Sequence, residues 1–175
     1  MKKHEKERLC TELQDIYDMM RNVALTKKHY DRRLHKFQRG NTAFEILLAI
    51  GTSSTVAGWT FWSSSMGVPV WTTIGIVIAV LTILKPILRL PAQIERFSIL
   101  STKYNALLID LQIISFDIKS RGNIEDAIRS RFKAECEKLK NMGAKEDPVV
   151  SEKIRRKLCA EVNREIPAES FWYPT

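Results

Sequence analysis

Four consecutive hydroxyl side chains, Thr52-Ser53-Ser54-Thr55, lie inside a long apolar stretch of this 175-residue chain. Four successive positions cover every side of a helix, so some of these hydroxyls must face another helix or water. Small and hydroxyl residues let helices pack closely in membranes, whereas hydroxyls that face water can line a conducting path. Both interpretations stay open, and Thr52, Ser53 and Thr55 are the candidate pore-lining residues.

A single carboxylate, Glu45, directly precedes this apolar stretch. Thr42-Ala43-Phe44-Glu45 has the pattern of a capping box, in which the first and last side chains satisfy free backbone N–H groups at a helix start. The alternative is a ring of carboxylates at a pore mouth, formed when several copies assemble. Glu45 is therefore a candidate helix cap and also a candidate pore-lining residue.

Motifs for catalysis and cofactor binding are missing from the sequence. It contains no G-x-x-x-x-G-K-[ST], no G-x-G-x-x-G, no G-x-S-x-G and no H-E-x-x-H. The three cysteines, Cys10, Cys136 and Cys159, form no C-x-x-C pair, which indicates reduced thiols rather than a zinc site or disulfides. We expect no enzymatic activity, no bound metal and no cofactor.

The elements that position these residues follow from an uncharged run of 39 residues, 46–84. One helix of that length would be ~58 Å long, about twice the ~30 Å hydrocarbon core of a bilayer. Two crossings fit, because Phe61-Trp-Ser-Ser-Ser-Met-Gly-Val-Pro69 contains residues that interrupt a helix. The run predicts a hairpin of two transmembrane helices, at about 42–62 and 68–88.

Aromatic and basic residues predict the orientation of this hairpin. Trp59, Trp62 and Trp71 cluster at the turn, as amphipathic rings do at a membrane surface. Basic residues flank the two outer ends and none lies in the turn, so both termini should be cytoplasmic. The net charge of +8 then reflects orientation and contact with anionic lipid, and we expect no nucleic-acid partner. The basic residues are Lys27, Lys28, Arg32, Arg33, Lys36 and Arg39 before the first span, and Lys85, Arg89, Arg96 and Lys103 after the second.

Two apolar stripes with heptad spacing lie outside the hairpin, one on each side. Alternating spacings of three and four residues predict two helices that pair as an antiparallel coiled coil in the cytoplasm. The first stripe is Leu9, Leu13, Ile16, Met20, Val23, Lys27, Tyr30, Leu34 and Phe37, with one polar interruption at Lys27. The second is Phe97, Leu100, Tyr104, Leu107, Leu111, Ile114 and Ile118, extended backwards by Leu90 and Gln93.

Residues that break helices suggest the boundaries between these parts. Gly40, Pro86 and Pro91 are the hinge candidates between the stalk and the membrane. The predicted organisation is a stalk helix at 1–41, the hairpin at 42–90, a return stalk helix at 91–121 and a C-terminal helical region at 122–175. That last region holds a helix from about Asn123 to Asn141, a loop at 142–148, a helix at about 149–166 and an aromatic tail, which we expect to fold back on the bundle rather than dock elsewhere.

The sequence thus predicts an all-α membrane protein: a two-transmembrane helical hairpin with long cytoplasmic antiparallel coiled-coil-like helices and a C-terminal helical region. With its turn WSSSMGVPVW and its return helix beginning LPAQIERFSILSTKYNALLIDLQ, residues 5–165 resemble the SLATT superfamily. The resemblance implies a bacterial two-transmembrane effector of antiphage defence that assembles in the inner membrane and permeabilises it. It also implies a separately encoded nucleotide-signalling or sensor partner, because no sensor or synthase domain is apparent in this chain.

Two functions follow as expectations. The first is a regulated homo-oligomeric pore, or a membrane-disrupting effector, because two spans with few charges make a poor channel as a monomer. The alternative is a non-conducting scaffold in the membrane whose cytoplasmic stalk recruits a partner.

Overall fold

The computed structural model describes residues 3–57, 67–143 and 151–173, and every regular element within these ranges is helical. The chain divides into two compact units. We name Met1–Tyr30 with Leu100–Thr175 the bundle unit, and Asp31–Ile99 the hairpin unit. The helices are α1 (Lys3–Ala57), α2 (Gly67–Leu88), α3 (Leu90–Arg121), α4 (Asp126–Gly143) and α5 (Glu152–Glu165), followed by a 3-10 turn at Ala168–Ser170.

The predicted stripes form the core of the bundle unit. Within this unit, every apolar residue of both stripes is at most 7% exposed. Tyr104, Leu111 and Ile118 are fully buried. The period predicted from the sequence is therefore confirmed, because a helix buries one face and the apolar residues recur on that face.

Helices α1 and α3 run antiparallel in this unit. Tyr17, early in α1, shares a side-chain hydrogen bond with Ser115, late in α3. Tyr30, further along α1, stacks on Tyr104 near the middle of α3, with ring centroids 5.6 Å apart. Contacts thus move back along α3 as they move forward along α1, as the stalk prediction requires.

The turn from α3 to α4 follows the sequence signals closely. α3 ends at Arg121, and Gly122 has a φ of 66°, the left-handed conformation that glycine adopts without strain. Its N–H donates to the carbonyl of Ile118 at 2.8 Å. The Asn123 carboxamide oxygen accepts a hydrogen bond from the Ile124 N–H, and α4 begins at Asp126, an acid in the first turn. The predicted helix start is therefore correct to within three residues.

Helix α4 packs against both α1 and α3. Arg129 donates to Glu12 of α1 at 3.0 Å, and Arg131 pairs with Asp117 of α3 at 2.8 Å. Further along α4, the Cys136 thiol lies 3.6 Å from the Met19 sulfur. Residues 129–136 of α4 therefore hold α1 and α3 together.

The C-terminal helix and tail complete the bundle unit. Leu158 and Val162 are buried on α5, and Lys28 of α1 pairs with Glu165 at 2.6 Å. The tail then returns to α1, where the Phe171 ring stacks on Tyr17. The prediction that the aromatic tail folds back on the bundle is confirmed.

Helix α1 does not end at the predicted stalk boundary. It continues through Gly40 and Asn41 to Ala57, so the break expected there is wrong as a break in the helix. The capping-box interpretation of Thr42 to Glu45 is wrong for the same reason, because no helix begins at that point. One glycine costs a helix only about 1 kcal/mol relative to alanine, which long helical segments on both sides readily absorb.

Several predicted boundaries can be compared directly with the helices. The second span, predicted at 68–88, corresponds to α2 at Gly67–Leu88. The predicted turn between the spans falls largely on residues 58–66, outside the described residues, as does most of the predicted loop at 142–148. The first two residues of that loop, Met142 and Gly143, instead end α4.

Candidate functional site

Helices α1 and α2 lie antiparallel within the hairpin unit. Lys85 near the end of α2 lies 3.8 Å from Glu45 of α1. Gly51, further along α1, meets Ile78, earlier in α2, so closely that an added Cβ would lie 2.7 Å from the Ile78 Cγ1. A side chain at Gly51 would have to displace Ile78, so glycine permits this close approach of the two helices.

The outer surface of this helix pair is apolar and exposed. Ten large aliphatic side chains among the described residues of α1 and α2 are 38–66% exposed. No charged residue lies between Glu45 and Lys85 in the sequence. We name these side chains the apolar belt: Ile46, Leu47, Ile50, Ile76, Val77, Val80, Ile83, Leu84, Ile87 and Leu88.

One helical segment in the described part of the chain is long and apolar enough to cross a membrane. It is Gly75–Arg121, which includes α2 from Gly75 and all of α3. Only 6% of its most apolar stretch is buried within the protein. The apolar character of this stretch therefore does not arise from packing in the protein's own core.

Glu45 lies within α1, twelve residues before the end of the helix, and contacts Lys85 of α2. The Asn41 amide donates to its carboxylate at 2.9 Å, one helical turn earlier. Lys85 of α2 approaches the same oxygen at 3.8 Å, and the Glu45 side chain remains 57% exposed. An exposed pair of this kind is worth about 0–1 kcal/mol, so it aligns the helices more than it stabilises them. The role of Glu45 at a pore mouth stays a prediction.

The three hydroxyl candidates share the backbone of the last turns of α1. Thr52, Ser53 and Thr55 follow Gly51, on the segment of α1 that packs against α2. Their side chains lie outside the described residues. Their role as pore lining therefore remains a prediction from the sequence.

The three hinge candidates have different surroundings. Gly40 lies inside the continuous helix α1, and nothing approaches the position of an added Cβ within 4 Å. Pro86 and Pro91 flank a true break between helices: α2 ends at Leu88, α3 begins at Leu90, and Arg89 between them has a φ of 44°. The Arg89 N–H reaches the Pro86 carbonyl only at 3.3 Å.

Arg89 is the conformationally unusual residue that the sequence analysis did not single out. An L-residue with positive φ is uncommon, and strain of this kind costs on the order of 1–3 kcal/mol. The sequence signal was the spacing of two prolines around it, since each lacks an N–H and disturbs the preceding turn. The break predicted near Pro86 and Pro91 thus corresponds to the interruption between α2 and α3 at Arg89, and its role as a hinge stays a prediction.

A basic surface precedes the apolar belt in the hairpin unit. It consists of four exposed side chains on one face of α1, which line an open groove of about 450 Å³: Arg32, His35, Lys36 and Arg39. On a second face, the guanidinium groups of Arg33 and Arg96 lie 5.5 and 5.9 Å from the centre of the Phe97 ring. Phe37 packs against the same ring, with centroids 5.3 Å apart. Cation–π contacts of this kind hold the basic groups beside the helix pair.

The described residues of the bundle unit offer little that resembles a chemical site. A groove of about 300 Å³ lies between α1 and α5 and is bridged by a hydrogen bond from Arg21 to Asn163. Within the described residues, no group of three His, Cys, Asp or Glu side chains could hold a metal. All three cysteines carry free thiols, and burial raises the pKa of Cys136, which makes its thiolate scarcer at neutral pH.

Comparisons with models of known protein families, with curated proteins and with solved structures found no match to this chain.

Proposed function

We propose that this chain is a bacterial inner-membrane effector that inserts α2 and the end of α1 as a two-span hairpin, with both termini in the cytoplasm. Assembled as a homo-oligomer, it forms a regulated pore or disrupts the membrane in antiphage defence. The trigger comes from a separately encoded nucleotide-signalling or sensor protein. The resemblance to SLATT effectors suggests the biological role, and the apolar belt of the hairpin unit supports the membrane location.

The exposure of the belt is the observation that carries this proposal. Leaving ten large aliphatic side chains about half exposed to water forgoes on the order of 10 kcal/mol of burial. A core helix of a soluble protein would instead be mostly buried, whereas 6% of the apolar stretch of this chain is buried. Hydrocarbon around the hairpin removes that cost without requiring any further protein contact.

The charges beside the belt support the proposed orientation. The basic groove on α1 from Arg32 to Arg39 and the pair Arg33 and Arg96 lie in the segments that precede and follow the two spans. Basic residues are retained on the cytoplasmic side and also attract anionic headgroups there. Both ends of the hairpin therefore belong to the cytoplasmic leaflet.

Conduction would depend on the hydroxyls of α1. In an oligomer, Thr52, Ser53 and Thr55 offer the polar groups in the described helices that a water-filled path needs at this depth, with Glu45 near its mouth. A trigger that binds one arrangement of the helices better than another shifts the population toward it, by no more than its difference in affinity. The turn at Arg89, between Pro86 and Pro91, is the candidate point of movement.

The first test is membrane potential in bacteria that express the chain, with and without the genes adjacent to its own. We expect depolarisation that requires the partner and is lost when Thr52, Ser53 and Thr55 are all changed to leucine. Thr82→Leu is the matched control, because the Thr82 hydroxyl already donates to the Ile78 carbonyl of its own helix at 2.8 Å. Alkaline extraction of membranes verifies that each variant inserts.

The outcomes separate the two functions. Depolarisation that survives the triple leucine variant would remove the hydroxyl lining but leave a membrane-disrupting effector. An unchanged potential in cells where the inserted protein has been triggered would exclude both the pore and the membrane-disrupting effector. The non-conducting scaffold would then remain. Failure to resist alkaline extraction would exclude membrane insertion itself.

A further inference from the structure

Helix α3 carries a second stripe on its outer face within the bundle unit. Six residues at spacings of four and three are all exposed: Thr102, Ala106, Ile109, Ile113, Phe116 and Ser120. Each lies two positions before or after a residue of the buried stripe, which places it about 200° around the helix. We name this set the outer stripe. It is uncharged along its whole length, and Phe116 is 70% exposed.

This exposure is unusual for a helix that already packs in a bundle. Solvated helix faces carry mainly charged and polar residues, as the exposed faces of α4 and α5 do. In contrast, Ile109, Ile113 and Phe116 are 44–70% exposed and lie next to one another. A contiguous exposed apolar patch of this kind marks an interaction surface.

The spacing and the charges favour a second copy of the same helix as the partner. A 4-3 repeat lets two parallel helices meet in register, each residue facing its own counterpart. In that register, Asn105 faces Asp110 of the other copy and Gln112 faces Asp117, so no like charges oppose one another. Both carboxylates are already paired with cations of α4, at 3.6 Å to Lys138 and 2.8 Å to Arg131.

We propose that the outer stripe of α3 is the contact through which two copies of this chain associate, in parallel and in register. The inference rests on the proposed membrane location, because a shared bilayer and orientation hold the α3 helices parallel. Three large side chains make a modest interface, so confinement to the membrane supplies the effective concentration that association needs.

The test is disulfide cross-linking of the full chain in membranes. In a background with Cys10→Ser, Cys136→Ala and Cys159→Ser, Ile113→Cys should form a dimer on mild oxidation, because facing positions of parallel helices lie within disulfide range. Lys133→Cys is the control, since Lys133 is exposed on α4, about 200° around that helix from Arg131, which contacts α3. We expect dimer from the first variant only, with a mass of two chains.

A second pair of variants tests the stripe itself. Phe116→Glu should reduce the Ile113→Cys dimer about tenfold or more, because it places two carboxylates in one apolar layer. Ile154→Glu is the matched control, since Ile154 is a 44% exposed aliphatic residue of α5 outside the stripe, and it should leave the dimer unchanged. Equal cross-linking at positions 113 and 133 would overturn the proposal, and so would a product whose mass shows that a different protein is attached.

This test is separate from that of the proposed function. Protein that resists alkaline extraction and depolarises cells, yet gives no Ile113→Cys dimer, would refute the stripe and leave the effector in place. Protein that fails to insert would refute the effector, and a dimer that persists without insertion would refute the dependence of the contact on the membrane.

Discussion

The Phe171 ring lies on the Tyr17 ring, with centroids 3.9 Å apart and planes inclined by only 10°. The Tyr17 hydroxyl also donates to the Trp172 carbonyl and accepts from the Trp172 N–H, both at 3.1 Å. One residue of α1 thus holds the tail by its face and by its hydroxyl. Because Tyr17 itself is only 3% exposed, the half-buried tail residues Phe171 and Trp172 cover a residue of the bundle core.

Release of the tail should follow from changes at either partner. Phe171→Ala removes a stacked pair worth about 0.5–1.5 kcal/mol in addition to its buried area, so the Trp172 amide should exchange with solvent several times faster. Tyr17→Phe keeps the stacking and removes the hydroxyl bonds, with a cost of about 1 kcal/mol. Mass-spectrometric hydrogen exchange on detergent-purified protein measures both effects.

The matched control for tail release is Tyr173→Phe. It removes one exposed hydrogen bond to Gln14, at 2.9 Å, and should leave Trp172 exchange nearly unchanged. An equal effect of all three substitutions would show that Tyr17 has no special role in holding the tail.

Stability of the bundle unit should fall in alkali through Tyr17. Burial raises the pKa of the Tyr17 hydroxyl above its ordinary value of 10.0, although its hydrogen bonds oppose the shift. A group whose pKa is raised by folding contributes stability that is complete below the unfolded pKa and is lost as pH rises through the folded pKa. The advantage of wild type over Tyr17→Phe should therefore be constant up to about pH 9 and shrink above about pH 10. Urea unfolding followed by circular dichroism at a series of pH values measures it, and an advantage that grows with pH would contradict the assignment.

Close packing of α1 on α2 should depend on Gly51. Gly51→Leu should separate the helices, because even an added Cβ would collide with the Ile78 side chain. Ile78→Ala should partly restore the pair by making room. Gly75→Ala is the control, since nothing lies within 4 Å of its added Cβ, and it should be tolerated or slightly stabilising. Thermal aggregation in detergent ranks the four proteins, and equal loss for the variants at positions 51 and 75 would contradict the close approach.

The hinge interpretation of Gly40 can be tested by a substitution that stiffens α1. Gly40→Ala meets no neighbour within 4 Å and should favour the helix by about 1 kcal/mol. If α1 bends there during activation, the variant should insert normally and depolarise cells less when the partner is present. Full depolarisation by Gly40→Ala would leave Pro86 and Pro91, on either side of Arg89, as the remaining hinge candidates.

Glu45 pairs with Lys85 and is also proposed to lie in a charged ring at the pore mouth, and charge substitutions distinguish the two roles. If Glu45 acts only as the partner of Lys85 in an exposed pair, Glu45→Gln should lower the free energy of unfolding by at most about 1 kcal/mol. Lys85→Gln should lower it by a similar amount. As part of a charged ring, Glu45→Gln alone should lower the preference for cations in single-channel recordings, since Lys85→Gln leaves the ring intact. Equal effects of both substitutions on selectivity would show that Glu45 acts only through the pair.

The bundle unit could be predicted from the sequence because its signals are local. The 4-3 recurrence from Leu9 to Tyr30 and from Leu100 to Ile118 identified the buried faces, and Gly122 with Asn123 marked the turn. These residues act through helix geometry, which depends on spacing alone. Because the two stripes lie on either side of a helical hairpin, the helices that carry them could pair only in antiparallel orientation.

The hairpin unit was harder to predict because its signals compete. The capping pattern at Thr42 was outweighed by the continuity of α1, since one glycine and one asparagine do not stop a helix that is well formed on both sides. The unusual conformation of Arg89 was invisible because arginine has no preference for positive φ, and only the two nearby prolines point to it. The ion-pair partner of Glu45 depends on which residue of α2 lies opposite it. That is a long-range contact, which the local spacing of residues does not predict.

The outer stripe could also be predicted from the sequence, because its spacing is as regular as that of the buried stripe. Of the two faces of α3, the sequence correctly indicated the one that the bundle covers, because the large ring of Tyr104 buries more area than Ala106 or Thr102 would.

The placement of Tyr17 against Trp172 also orders events during synthesis. The two residues are separated by 155 positions, so Tyr17 leaves the ribosome roughly 8–30 s before the tail that covers it. Until α3 has been synthesised, the apolar stripe of α1 has neither α3 nor the tail to pack against, and it presents Leu13 and Ile16 to any chaperone that binds nascent chains. The bundle unit is therefore complete only after residues 171–173 have emerged, and a ribosome that stalls before them leaves the Tyr17 ring without Phe171 to stack on it.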